Sequence, residues 1–112
     1  MAKQKTISRT AEAFMFSGRA NPQWRLTTAQ MEQWNAKWNV ASFSDNEVMR
    51  PSILGYTGCK LQNDEHSYWI IFNGCVSFYE ENKVTSKKDE GQQMERWLIE
   101  TGPEEMKAML DS

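Results

Sequence analysis

The sequence predicts an α+β fold in which a four-stranded, mainly antiparallel sheet carries helices on one face, in the order β-α-β-β-β-α-α. Three observations support this prediction. An Asn73-Gly74 pair stands between two runs of apolar, β-favouring residues, which is typical of a tight hairpin. A capped helical pattern begins at Thr27. Two further helical patterns follow Asp89 and Pro103 near the end of the chain.

Length and composition indicate a single domain over residues 1–112, of which residues 1–9 are expected to be flexible. No stretch approaches the roughly 18 apolar residues of a membrane span, and no apolar segment follows the charged start. We therefore expect a cytoplasmic protein with no membrane partner. Cys59 and Cys75 are expected to remain unpaired thiols, because their predicted strands lie about 9–10 Å apart, beyond disulfide reach.

The net charge of −2 is unevenly distributed. Residues 1–60 hold eight Lys/Arg against four Asp/Glu, whereas residues 89–112 hold two against seven. Contact with phosphates requires a concentrated positive field, so the acidic C-terminal part argues against nucleic acid as a partner. A basic patch formed by Lys and Arg residues in the first half of the chain keeps nucleic-acid binding as an alternative interpretation.

The central hairpin is expected from Tyr68 to Tyr79, with the sequence YWIIFNGCVSFY. Asn73 and Gly74 readily accept the positive φ angles of a type I′ turn, and the register around the turn then pairs Trp69 with Phe78. Both sides of this ribbon are apolar. Either the protein covers both sheet faces, or one face remains as a contact surface.

A strand expected at residues 56–62 decides which face takes the helices. We expect Gln62 to lie opposite Ser67 in the turn into the central hairpin. Leu61 then faces Tyr68, so the face that carries Tyr68 becomes the more apolar one and is expected to lie under the helices. The residues expected on the other, thinly covered face, where a partner would bind, are Tyr56, Lys60, Trp69, Ile71 and Phe78.

The first strand and helix have separate signals. Alternation around Phe14 predicts a strand that ends at Gly18, followed by a loop over residues 16–24. Thr27 and Gln30 form a predicted capping box. The apolar residues at helical spacing after this cap, which we expect to face the core, are Met31, Trp34, Trp38 and Ala41.

The remaining segments comprise a long loop and two helices. Residues 42–55 show no clear period, and we expect them to cover a sheet edge or, alternatively, to form a ligand lid. Asp89 is expected to cap the second helix, and Gly102-Pro103 to end it. The apolar residues expected to face inward from the last helix are Met106, Met109 and Leu110.

The run FSGRANPQW at residues 16–24, together with LGYTG at residues 54–58, resembles two stretches of a group of small, uncharacterised bacterial proteins. These carry an SGRPNP-like stretch and a later LGYxG-like one, and Ala20 stands here where the first stretch has a proline. The resemblance implies a bacterial or phage origin. It implies no activity.

The sequence offers few groups for catalysis. His66 is the only histidine, and no Cys or His residues at ligand spacing accompany it. Neither cysteine has a base beside it in the predicted sheet, and no glycine-rich phosphate loop is present. We therefore expect no enzymatic activity, no metal and no cofactor.

These observations favour a non-enzymatic cytoplasmic protein-binding domain. Its partner would be another protein or a second copy of itself, and an inhibitor or immunity-type neutraliser is one form such a domain takes. The alternative is a small-ligand or enzymatic site formed by the 16–24 and 42–55 loops. In that alternative Arg19, Asn21 and Trp24 gather around a pocket, whereas in the plainer interpretation Arg19 pairs with the acidic C-terminal helices.

Overall fold

A computed structural model describes residues 9–16 and 20–110. Within these ranges the strands are β1 (Thr10–Phe16), β2 (Gln23–Arg25), β3 (Gly55–Asp64), β4 (Ser67–Phe72), β5 (Cys75–Glu80) and β6 (Lys83–Lys88). The helices are α1 (Thr28–Val40), α2 (Gln93–Glu100) and α3 (Glu104–Leu110), and a 3₁₀ turn at Glu90–Gln92 precedes α2. The α+β class is confirmed.

The described strands form one antiparallel sheet of six strands, in the order β2-β1-β3-β4-β5-β6. The prediction of four strands is therefore wrong, and the two missed strands are the two edges. β2 is only three residues long and lies inside the predicted 16–24 loop. β6 has the polar sequence KVTSKK, which lacks the apolar alternation of a half-buried strand.

The central hairpin is confirmed in position and register. Asn73 and Gly74 have φ angles of 51° and 90°, as a type I′ turn requires. Trp69 pairs with Phe78, and the predicted pairing holds along the whole ribbon from Tyr68↔Tyr79 to Phe72↔Cys75.

The register between β3 and β4 differs from the prediction by one residue. Leu61 lies opposite Trp69 rather than opposite Tyr68, because the pairing shifts between Gln62 and Asp64. Asn63 is the extra residue at this irregularity. Since successive side chains on a strand point to opposite faces, the shift moves the buried residues of β3 to the face that carries Trp69.

The helices pack on the Trp69 face, which corrects the predicted choice of face. Trp34 of α1 meets Trp69 edge to face, with 5.6 Å between ring centroids, and Trp38 meets Phe78 at 6.0 Å. All three helices contribute to the same buried cluster. Its members from the helices and the two central strands β3 and β4 are Met31, Trp34, Met94, Leu98, Met106, Cys59, Leu61, Trp69 and Ile71.

The cap of α1 is confirmed. The backbone N–H of Gln30 donates to the Thr27 hydroxyl at 3.0 Å, and the Thr27 N–H donates to the Gln30 side chain at 2.8 Å. Asp89 also caps α2, but from a different position. Its carboxylate accepts the N–H groups of Met94 and Glu95 at 2.7 and 2.9 Å, across the intervening 3₁₀ turn.

The two ends of the described chain can be compared with the predictions made for the N-terminal segment and the last helix. Arg9, within the segment expected to be flexible, is held because its N–H donates to the Gln62 carbonyl at 2.9 Å and its carbonyl accepts from Leu26 at 2.8 Å. Residues 1–8 lie outside the described ranges, as does the predicted end of the first strand at Gly18. In α3, Met106 is buried as predicted, whereas Met109 is 46% exposed and does not face inward.

None of the described helices is long and apolar enough to cross a membrane. Cys59 and Cys75 are both free, on two strands separated by β4. This agrees with the expected absence of a disulfide between them.

Candidate protein-interaction site

Residues 42–54 form a segment, which we call the strap, that leaves the end of α1 and passes round the β6 edge of the sheet. The strap starts as a short pairing with β6. The N–H of Lys88 donates to the Ser42 carbonyl at 2.8 Å, and the Ser44 N–H donates to the Ser86 carbonyl at 2.9 Å. This pairing covers the Ser86–Lys88 part of an otherwise open sheet edge, in agreement with the covering role expected of the segment.

The strap then crosses β5 on the sheet face opposite the helices. The Val48 N–H donates to the Ser77 hydroxyl at 2.9 Å, and the Cys75 thiol donates to the Asn46 carbonyl at 3.2 Å. The Tyr79 hydroxyl donates to the Glu47 carboxylate at 2.6 Å. Contacts from three successive residues of the strap therefore fix its path over the sheet.

Four large apolar residues of the strap are between 54% and 82% exposed, namely Phe43, Met49, Ile53 and Leu54. Phe43 lies beside Lys87, whose ammonium group also contacts the Trp38 ring on the helix side of the sheet. Met49, Ile53 and Leu54 come after the crossing, and we call their solvent-exposed side chains the outer side of the strap. A concentration of exposed apolar side chains on one surface segment is typical of a contact surface. Exposed apolar area therefore lies on the strap, whereas the Trp69 face, where it was expected, is covered by the helices.

Beneath and beside the strap, the sheet face opposite the helices carries half-buried aromatic rings. Tyr68 and Tyr79 stack with 5.1 Å between ring centroids. The ammonium group of Lys60 lies 4.6 Å from the centre of the Tyr68 ring. Ile70 and Phe72 are half-buried on the same strand as Tyr68.

Where the strap reaches β1, it forms a cleft of about 230 Å³. The guanidinium carbon of Arg50 lies 3.7 Å from the centre of the Phe14 ring, so the cation lies against the ring. The residues that line this cleft are Phe14, Met15, Asn21, Arg50, Pro51, Ser52 and Thr57.

Asn21 is held rigidly at the cleft. Its carbonyl oxygen accepts the Met15 N–H at 2.9 Å, and its amide donates to the Glu12 carboxylate at 2.8 Å. Trp24 lies elsewhere, because its indole N–H donates to the Thr101 hydroxyl at 2.8 Å, beyond the end of α2. Asn21 and Trp24 therefore do not converge on one pocket, and Arg19 lies outside the described residues.

The predicted partner-binding residues are separated by the fold. Trp69 is 2% exposed and Ile71 is fully buried, both under the helices. Phe78 is half-buried against Trp38. Lys60 lies on the opposite face, beside the tyrosine pair. The predicted exposed surface around Trp69 is therefore wrong, and the one-residue register shift is the cause.

Tyr56 belongs to a buried polar cluster that ties α2 to the sheet. Its hydroxyl donates to the Glu95 carboxylate, and Glu95 also accepts the Asn73 N–H at 3.0 Å. Burial raises the pKa of the Glu95 carboxyl, while the hydrogen bonds from Tyr56 and Asn73 oppose that rise. Because Glu95 is 5% exposed and bonded on both oxygens, it has no free atom for a substrate.

The groups most often used in catalysis are poorly placed for it. Burial raises the pKa of the Cys59 thiol to about 12 and also raises the pKa of Cys75, so both thiols are neutral near pH 7. His66 is exposed in the β3–β4 turn, 3.8 Å from Glu81 and 3.9 Å from Glu65. Across residues 9–16 and 20–110, no three His, Cys, Asp or Glu side chains are grouped to hold a metal ion.

The sequence did not lead us to expect an exposed apolar surface on the strap, although one feature of the sequence indicates it. Met49, Ile53 and Leu54 stand in a segment with no helical or strand periodicity, so no regular element was available to bury them together.

Comparisons with protein-family models, with curated proteins and with solved structures found no match to this chain.

Proposed function

We propose that this protein is a non-enzymatic protein-binding domain and that the outer side of the strap is its contact surface. The observation that carries the proposal is the set of exposed apolar residues on a segment that is hydrogen-bonded to the sheet. Met49 and Leu54 are each 82% exposed, although the backbone of the strap is fixed nearby at Val48.

The energetics favour this use of the strap. Burying one large apolar side chain contributes about 1.5–3 kcal/mol, so the exposed residues of the strap together represent a substantial driving force for association. A segment already anchored to the sheet also loses little conformational entropy when a partner covers it. Methionine, here Met49, is enriched at protein interfaces.

The partner is another protein or a second copy of this chain. An inhibitor or immunity-type neutraliser of an enzyme is the form that best suits a small domain with few catalytic groups and an apolar contact surface. Two free thiols support a reducing compartment, and we place the protein in the cytoplasm.

A double substitution of the strap tests the proposal. In Met49→Ser/Leu54→Ser, the two most exposed side chains of the strap become polar, while the hydrogen bonds of Val48 and Ser44 remain. Val40→Ser is a matched control, because Val40 is 84% exposed at the end of α1 and lies outside the strap. All three proteins are used as bait in lysate from the source organism, and each captured protein is then purified and titrated.

The expected result is a purified partner that binds the wild type and Val40→Ser equally and binds the double variant at least about tenfold more weakly. Light scattering over a concentration series reports the alternative of a homodimer, which the double variant would convert to a monomer. A wild-type protein that remains monomeric and whose captured proteins bind the wild type and both variants equally would contradict the proposal.

A further inference from the structure

The Arg50 side chain lies against an aromatic ring rather than against a carboxylate of the described residues. Among the described residues, none accepts a hydrogen bond from its guanidinium group or forms an ion pair with it, and its observed contact is with the Phe14 ring. Arginine at a protein surface commonly pairs with a nearby carboxylate when one is in reach. Here the cation is positioned by an aromatic ring and left open at the cleft.

The contact with Phe14 preorganises this cation for a planar anion. With Cζ 3.7 Å from the ring centre, the ring limits where the guanidinium can lie, while the guanidinium keeps its N–H donors in one plane. Two of those N–H groups match the two oxygens of a carboxylate in a forked contact. Because Phe14 already restricts the Arg50 side chain, less conformational entropy is lost when the anion binds.

The cleft supplies hydroxyl groups next to this cation. Thr57 is 2% exposed and lines the cleft. A hydroxyl at the wall of a cleft can donate a hydrogen bond to an anion that is held there. Ser52 lines the same space from the strap.

Size and surroundings indicate what kind of occupant fits. A volume of about 230 Å³ lies below the roughly 300–1,000 Å³ typical of pockets that bury a complete small ligand. It suits one acidic side chain or one chain terminus. Exposed Met49 and Ile53 flank Arg50 along the strap, so a carboxylate in the cleft would bring apolar neighbours of its own chain against them.

We propose that the Arg50 cleft receives a carboxylate of the partner protein, from an Asp or Glu side chain or from the chain terminus. This inference rests on the proposed function and specifies the partner: a segment that carries one carboxylate with apolar residues beside it. Arg50 forms the forked contact, and Ser52 and Thr57 donate to the same group from the sides of the cleft.

Short peptides test the cleft without knowledge of the partner. ¹⁵N-labelled protein is titrated with three tripeptides, each acetylated at its N-terminus. Leu-Glu-Leu amide offers a side-chain carboxylate, Leu-Gln-Leu with a free C-terminus offers a terminal one, and Leu-Gln-Leu amide offers neither. The expected result is a change in the backbone signals of Ser52 and Thr57 with at least one acidic peptide and none with the neutral peptide.

Arg50→Gln should weaken the acidic peptide about 10- to 100-fold, the range expected for losing hydrogen bonds to a charged group. Arg25→Gln, which removes an exposed arginine of β2, should bind as the wild type does. Equal responses to the acidic and neutral peptides, or an unchanged affinity in Arg50→Gln, would overturn the inference. Equal changes of the Ser52 and Thr57 signals with inorganic phosphate would also overturn it, because the cleft would then select any small anion.

The partner experiment keeps the two proposals separable. If Met49→Ser/Leu54→Ser loses the captured partner while Arg50→Gln retains it, the strap surface stands and the carboxylate inference fails. If the peptides bind at Arg50 but no captured protein depends on the strap, the protein-binding function fails and the cleft stands as a carboxylate site.

Discussion

The backbone N–H of Val48 donates a hydrogen bond of 2.9 Å to the hydroxyl of Ser77, a fully buried residue of β5. The same hydroxyl lies 2.7 Å from the hydroxyl of Ser86 on β6. The buried Ser77, paired with the half-buried Ser86, therefore holds the middle of the strap, and the exposed apolar residues on the outer side of the strap depend on it for their position.

Ser77→Ala should release the strap from the sheet while leaving the sheet folded. The substitution leaves the Val48 N–H without its acceptor, which costs about 1–3 kcal/mol if that group stays buried. We expect faster hydrogen exchange at the Val48 amide. Ser86→Ala is the control, because it removes the hydroxyl pair but keeps the acceptor of Val48. Equal exchange rates in the two variants would count against the anchoring role.

Trp69→Ala should destabilise the fold by about 3–5 kcal/mol, because it empties a large site in the core between the sheet and α1. Tyr68→Ala, at the neighbouring position on the opposite face, should cost much less, since Tyr68 is half-exposed. Urea unfolding monitored by circular dichroism measures both. A small loss for Trp69→Ala would mean that Trp69 lies at the surface, as the sequence pattern had indicated.

Glu95→Gln should change stability in a pH-dependent manner. Burial raises the pKa of Glu95 in the folded state above its unfolded value of about 4.3. The carboxyl therefore favours folding most below the unfolded pKa, and that contribution is lost as pH rises through the folded pKa. The free energy of unfolding of Glu95→Gln should accordingly rise relative to that of the wild type as pH increases from 4 to 8.

Urea unfolding at several pH values measures this difference. Glutamine can still accept the Asn73 N–H with its carbonyl and donate to the Tyr56 oxygen with its amide, so packing should change little. Glu90→Gln, at an exposed position before α2, is the control. A difference between Glu95→Gln and wild type that is constant with pH, or that falls as pH rises, would contradict the prediction.

Lys87→Met should loosen the end of α1. The ammonium group of Lys87 donates to the Trp38 carbonyl at 2.8 Å and lies 4.5 Å from the centre of the Trp38 ring. Both contacts are made with the last turn of the helix, and we expect their loss to lower the free energy of unfolding by about 1–3 kcal/mol. Lys83→Met, at an exposed position of the same strand, should change the unfolding midpoint little. Similar midpoints for the two variants would show that the capping contact adds no stability.

Local sequence patterns predicted the structure correctly wherever the contacts that determine it join residues close together in the sequence. The Asn73-Gly74 turn fixes the register of its hairpin, because the turn geometry alone sets which residues pair. The capping box of Thr27 and Gln30 fixes the start of α1 for the same reason. The candidate site was only partly foreseen. Residues 42–55 were expected to cover an edge or, alternatively, to form a ligand lid, and a pocket at Asn21 was only the alternative interpretation. The exposed side of the strap was not predicted.

The sequence by itself determined the α+β class, the central hairpin, the helix caps and the unpaired cysteines, because each depends on neighbouring residues or on strand spacing. Only the tertiary structure decided which sheet face the helices cover. Asn63 adds one residue to the β3–β4 pairing, and a shift of one residue reverses the direction of every side chain of β3 relative to β4. The edge strands β2 and β6 likewise required the folded sheet, because they are held by backbone hydrogen bonds rather than by an apolar pattern.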